Sequence, residues 1–175
     1  MIRICTDELS VLSPKLRAGD MVELSGVVYT ARDAAHKRIC RLLDEGGELP
    51  FDLKGAVIYY AGPTQTPEGR VCGSFGPTTS CRMDSFTPRL IALGLGATIG
   101  KGVRSKEVTE AIIKYGAPYF AALGGAGALA ASHIKSLEVI GFEELGCESV
   151  KRLVFDRFPL YVATDVYGGS IYNRG

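Results

Sequence analysis

The sequence predicts an α/β fold with a mixed sheet in a single domain. Two patterns carry that expectation. Apolar runs rich in β-formers alternate with three helical stretches through the middle of the chain, and strand-like segments without helices lie at both ends. No shift in composition marks a boundary, so residues 1–175 read as one unit.

Gly19 and Asp20 open the run Met21–Tyr29, whose β-branched and aromatic residues predict a strand, with Gly26 marking a bulge. Thr30 stands where it could cap a following helix, with Asp33 in its first turn. Ala34, Ala35, Ile39, Leu42 and Leu43 recur at helical spacing until Gly46-Gly47 ends the helix. Ala56 to Ala61 is a continuous apolar run, the signature of a strand buried on both faces, and Gly62-Pro63 stops it. Thr64 to Arg70 reads as an exposed loop and Val71 to Phe75 as a candidate strand.

The stretch from Gly76 to Asp84 predicts a loop entering a helix, capped by its hydroxyls; Pro88 limits that helix. Ala97-Thr98-Ile99 is a short strand before Gly100-Lys101-Gly102. Ser105 caps a helix with Val108, Ile112 and Tyr115 on one face, ended by Gly116. Tyr119 to Leu123 predicts another buried strand, followed by Gly124-Gly125 and a small-residue helical turn to Ala131. Strands are expected at Leu137–Ile140, Leu153–Phe155 and Leu160–Ala163, and Gly168-Gly169 predicts a hairpin turn.

An apolar fraction of 46% and a mean hydropathy of +0.14 describe a globular chain able to bury a core. Twenty basic against nineteen acidic residues, with no run of one sign, argue against a nucleic-acid partner. No run approaches the ~18 apolar residues of a bilayer span, and the N-terminus has no signal-peptide core. The chain is therefore expected in the cytoplasm, with no membrane partner. Glycine is over-represented at 22 residues, scattered at element ends.

The cysteines, Cys5, Cys40, Cys72, Cys81 and Cys147, are odd in number and form no C-x-x-C pair, which predicts reduced thiols. His36 and His133 are far apart, with no zinc spacing. Taken alone, the chain is expected to hold no metal.

Three places combine a cation or hydroxyl with an element end. The first is Thr30 to His36, where Arg32 at a strand-to-helix junction could grip a carboxylate beside a helix N-terminus. The competing reading there is an Arg32–Asp33 surface ion pair with His36 partly buried. The second is Gly76 to Arg82, with three consecutive hydroxyls before an arginine; an overdetermined helix cap is the alternative. The third, Gly100-Lys101-Gly102, competes with a flexible surface turn. Neither a phosphate loop nor a G-x-S-x-G motif is present. If the three converge, Arg32, Arg82 and Lys101 surround Thr78. Three cations suit a substrate with two carboxylates and favour the anion of a neighbouring hydroxyl, which threonine needs to act as a base.

At these residues the chain resembles the β subunit, or C-terminal domain, of the iron–sulfur hydro-lyases, class I fumarase and L-tartrate dehydratase. The likeness is carried by Arg32-Asp33-Ala34-Ala35-His36, Ala61-Gly62-Pro63, Gly76-Pro77-Thr78-Thr79-Ser80-x-Arg82-Met83-Asp84, Gly100-Lys101-Gly102 and Ile134-Lys135-Ser136-Leu137-Glu138, in order. The resemblance implies a swivelling β/β/α domain. It implies reversible addition of water to a four-carbon dicarboxylate, with Thr78 as the proposed base and Arg32, Arg82 and Lys101 as ligands of the substrate carboxylates.

It also implies a [4Fe–4S] cluster held by three cysteines of a separate α subunit, so that this chain is an obligate half of a higher-order heteromer. Arg82-Met83-Asp84-Ser85-Phe86 is closer to the fumarase pattern, so fumarate hydratase is favoured. L-tartrate dehydratase, or a related hydroxy-dicarboxylate dehydratase, is the alternative. A non-catalytic dicarboxylate-binding partner is the rival from another class, and a self-contained hydrolase a distant third.

Overall fold

The computed structural model describes residues 1–123 and 127–173. Its sheet closes on itself. Strand β1 (Ile2–Cys5) runs parallel to β2 (Met21–Thr30), which is followed in parallel by β3 (Val57–Tyr59), β4 (Ala97–Gly100) and β5 (Tyr119–Ala121). The long strand β7 (Val150–Thr164) then runs antiparallel to β5 and, along its other edge, to β2 over Met21–Tyr29. Strands β2, β3, β4, β5 and β7 thus form a ring, with β1 beside β2 and β6 (Ile134–Gly141) beside β7. Closure leaves none of the ring strands with a free edge along its full length.

Both faces of the parallel strands are buried, which explains the unbroken apolar run Ala56–Ala61. Val57, Tyr59 and Ala61 join one cluster with Val22, Leu24, Phe120, Phe155 and Phe158. Ile58 and Tyr60 face the other way, against the helices α2 (Asp33–Glu45), α3 (Thr87–Ala92) and α4 (Lys106–Tyr115), through Ala35, Ile39, Leu90, Ile91, Val108 and Ile112. A two-residue period sends successive side chains to opposite cores. The ends of α2 and α4 follow their glycines: Gly46 and Gly116 both adopt the left-handed conformation in which a helix stops. Ser105 caps α4 by accepting from the Val108 amide.

Several expectations are corrected. Thr30 does not cap α2: it ends β2, fully buried, and its hydroxyl accepts from the Lys151 amide at 3.1 Å. Residues 71–75 form no strand, because that stretch pairs with no neighbour except through loop contacts such as Phe75 N–H to the Gly127 carbonyl. The two strands expected after residue 150 are one, β7, carried through by the ring closure. The hydroxyls at 78–80 cap no helix; Ser80–Met83 is a short 3-10 turn without a side-chain cap. Tyr115 is 47% exposed, off the buried face of Val108 and Ile112.

The register break opposite Gly26 is real, but the extra residue lies in β7. Leu24 pairs with Phe158 and Gly26 with Phe155, so Asp156 and Arg157 both face Ser25. Arg157 takes φ 53° there, held by its amide donating to Ser25 Oγ at 2.9 Å. Strand β1 and the short helix α1 (Leu9–Leu12) were not expected. The expected Gly124-Gly125 turn lies outside the described residues; the helix after it, α5, runs Gly127–His133.

Candidate active site

Strands β2, β3 and β4 are parallel, so their carboxyl ends emerge on one side, where α/β folds present ligands. Every candidate residue follows one of those ends. Arg32 comes two residues after β2. Its Nη1 and Cδ lie against Gly62, just beyond β3, where an added Cβ would sit 3.4 and 3.5 Å from them and collide with the Cys147 carbonyl. The Arg32 side chain thus runs in ordinary contact with Gly62, and it is the Cys147 carbonyl that leaves no room for a Cβ there. Arg32 Nε is buried and has no hydrogen-bond partner among the described residues, so a strong donor is left open for an acceptor from outside.

Thr78 sits between the ends of β3 and β4. Its amide donates to the Tyr60 carbonyl at 2.6 Å, Pro77 bridges to Ala61, and Thr79 bridges to Lys101. The Ser80 amide donates to the Lys101 carbonyl at 2.9 Å. Thr78 is half-buried and Lys101 exposed. Gly100 makes this approach possible: a Cβ there would overlap Ser80 Oγ.

Arg82 is tied to the first site through Asp33. Its Nε donates to Asp33 Oδ1 at 3.1 Å, and Nη2 lies 2.8 Å from Oδ2 as an ion pair without a well-aligned hydrogen bond. The expected alternative pairing, Arg32 with Asp33, is thus replaced. Asp33 turns to Arg82, Arg32 has no ion-pair partner among the described residues, and both arginines lie beside the start of α2. The Arg82 side chain remains 51% exposed.

One amide of the α2 N-terminus is already taken: Glu148 Oε1 accepts from Ala34 N–H at 3.2 Å, reaching it from across the fold.

His36 is fully buried instead of partly exposed. Its Nδ1 lies 2.8 Å from the Arg32 carbonyl, which places the proton on Nδ1, and its ring packs on Tyr60 and Phe86. Burial pushes its pKa down from 6.5 to about 4; the bond to the Arg32 carbonyl opposes this. Between those values the unfolded chain takes up a proton that the folded chain refuses. This stability contribution is complete above pH 6.5 and is lost as pH falls to about 4. The loss amounts to about 3 kcal/mol for that interval. Urea titrations from pH 7 to 4 should show this loss in the wild type and a shallower one in His36→Gln; identical slopes would refute it.

Sequence reasoning missed the scaffold beneath the site. Arg104, with a side chain 1% exposed, donates from Nε to Asp84 Oδ1 at 2.7 Å, from Nη1 to Thr98 at 3.0 Å, and from Nη2 to Thr87 at 2.8 Å and Tyr60 at 3.1 Å. Its guanidinium lies between the rings of Tyr60 and Tyr119. Lys151 is also buried, its ammonium donating to the carbonyls of Gly146, Cys147 and Ser149 and to Ser149 Oγ; burial lowers its pKa. It braces the segment that delivers Glu148 to α2. Neither is marked locally: Arg104 stands among Lys101, Ser105 and Lys106, and Lys151 beside Arg152, so no lone charge in an apolar run signals either group.

A cavity of about 910 Å³ opens at the other end of the strands, lined by Lys54, Ala56, Gly96 and Ala117, and none of the four candidate residues reaches it. Among the described residues no group of three or more His, Cys, Asp or Glu could hold a metal ion, and all five cysteines are free. The residues present therefore do not fit the ligands of an iron–sulfur cluster. No helix among them is long and apolar enough to cross a membrane.

The family described as Fumarase C-terminus matches residues 2–175. Fumarate hydratase 2 of Leishmania major is 42% identical over 158 residues, covering 89% of this chain but 28% of that protein. A putative L(+)-tartrate dehydratase subunit beta of Methanocaldococcus jannaschii is 44% identical over 166 residues, covering 91% of this chain and 85% of that subunit. Aerobic class I fumarate hydratase of Escherichia coli (strain K12) is 41% identical over 156 residues, again covering 28% of the relative. The chain thus spans under a third of the fumarate hydratases it matches and most of the tartrate dehydratase subunit.

Proposed function

Because the chain belongs to the Fumarase C-terminus family, we propose that it is the β subunit of a fumarate hydratase, interconverting fumarate and L-malate with a separate α subunit. That partner carries the [4Fe–4S] cluster, which supplies Lewis-acid chemistry, and the whole is a cytoplasmic heteromer. The five free thiols fit a reducing compartment.

The observation that carries this reading is the unpaired, buried Nε of Arg32 at the strand ends that also present Thr78, Lys101 and Arg82. Arg32 and Lys101 bind and orient the carboxylates of the substrate. Arg82, whose Nε and Nη2 face Asp33, keeps Nη1 for the substrate at the exposed rim. In the elimination direction Thr78 Oγ, as its anion, takes the proton from the carbon next to a carboxylate, the carbon–carbon double bond forms, and the hydroxyl on the adjacent carbon leaves with its bonding pair as hydroxide. In this reading the arginines and the lysine meet the charge that develops on that carboxylate.

L-Tartrate dehydratase is the second reading, favoured by a relative of nearly matching length. Reconstitution with a cysteine-bearing α-type subunit tests both. Malate turnover well above that of L-tartrate is expected. The reverse order would overturn the substrate choice, and substantial turnover by this chain alone would overturn the proposed division of labour.

A further inference from the structure

The turn bearing Lys101 is fastened from two directions. Gly102 takes φ 83°, a conformation that favours glycine, and both of its backbone polar groups meet tyrosine hydroxyls. Its N–H lies 3.2 Å from Tyr172 Oη, which comes from the C-terminal segment. Its carbonyl accepts from Tyr119 Oη at 2.9 Å, which comes from β5.

Having given its proton to Gly102, Tyr119 Oη accepts from Ser80 Oγ at 2.9 Å, and the Ser80 amide in turn holds the Lys101 carbonyl. Burial raises the pKa of the Tyr119 phenol, so it remains a donor. The Lys101 side chain is exposed, so the turn fixes the point from which its ammonium reaches out.

We propose that Tyr119 and Tyr172 are positioning residues for Lys101: their hydroxyls lock the Gly102 peptide, and through it hold the lysine in the turn that bridges to Thr79, next to Thr78. This rests on the reading of Lys101 as a substrate ligand. It also removes the alternative of a flexible surface turn at 100–102.

The test uses the assembled α–β protein with Tyr119→Phe, Tyr172→Phe, Lys101→Ala and the pair Lys101→Ala/Tyr119→Phe. Each phenylalanine keeps the ring and removes one hydroxyl. Loss of one hydrogen bond is expected to lower kcat/KM for malate by up to ~10-fold in Tyr119→Phe, mainly through KM, and by less in Tyr172→Phe. The double variant should be no worse than Lys101→Ala, since the tyrosine then has nothing to aim. Losses that multiply would overturn the proposal.

A second readout stands apart from activity. Amide exchange at Gly102 should accelerate in Tyr172→Phe, and at Ser80 in Tyr119→Phe, while β1 is unchanged; no acceleration would also overturn it. An inactive wild-type assembly that nonetheless shows these exchange changes would sink the hydratase reading and leave the turn anchoring intact.

Discussion

Thr78→Ala should lower kcat of the reconstituted hydratase by about 10²–10⁴-fold, the range that a positioned general base contributes. The α–β complex and its melting temperature should be unchanged. The backbone at this position is held by the Tyr60 carbonyl through the amide, and by Pro77 and Thr79 on either side, none of which involves the threonine side chain. Removal of the hydroxyl therefore deletes chemistry without deleting structure. Thr78→Ser should retain more activity than alanine, because it keeps the oxygen. A pure scaffold that merely bound a dicarboxylate would lose little in either variant, and full activity in Thr78→Ala would remove the threonine from the reaction altogether.

Arg104→Leu should destabilise the fold by about 3–5 kcal/mol. The leucine strands the Asp84 carboxylate and leaves the Thr98, Thr87 and Tyr60 hydroxyls without their donor, all below the surface. In a domain of this size that corresponds to roughly 6–20 °C of melting temperature. Arg104→Lys should rescue only part of the loss, since one ammonium cannot reach four acceptors arranged for a planar fork. Activity should fall as well. Asp84 also accepts from the Ser105 amide at 2.6 Å, so it joins the turn holding Arg82 to the cap of α4. A change in melting temperature below about 2 °C would contradict this account.

The two variants show how differently parts of the molecule are legible in its sequence. Thr78, Arg32, Arg82 and Lys101 stand out because cations and hydroxyls gather at element ends, a local pattern. The strand at Met21–Thr30 and the helices ended by Gly46 and Gly116 stand out for the same reason: periodicity and punctuation lie within ten or fifteen residues. Arg104 lacks any such sign. Its partners lie at 60, 84, 87 and 98, on separate elements, and nothing nearby says that a charge after a glycine turn will be buried. Glu148 is likewise unreadable as a cap for a helix that starts more than a hundred residues earlier.

Local sequence, then, determined which segments are strands or helices, where most of them end, and which residue types are available for carboxylate chemistry. Tertiary structure decided the rest. Pairing with β2 and β5 runs β7 through as one strand where two were expected, and the parallel pairing of β2, β3 and β4 brings their carboxyl ends to a common side. The folded chain also gave Asp33 to Arg82 rather than to Arg32, and brought Glu148 to the Ala34 amide of α2. The physical reason is that propensity and hydrophobic period act between neighbours along the chain, whereas the pairing of a buried charge depends on which distant group the folded backbone delivers to it.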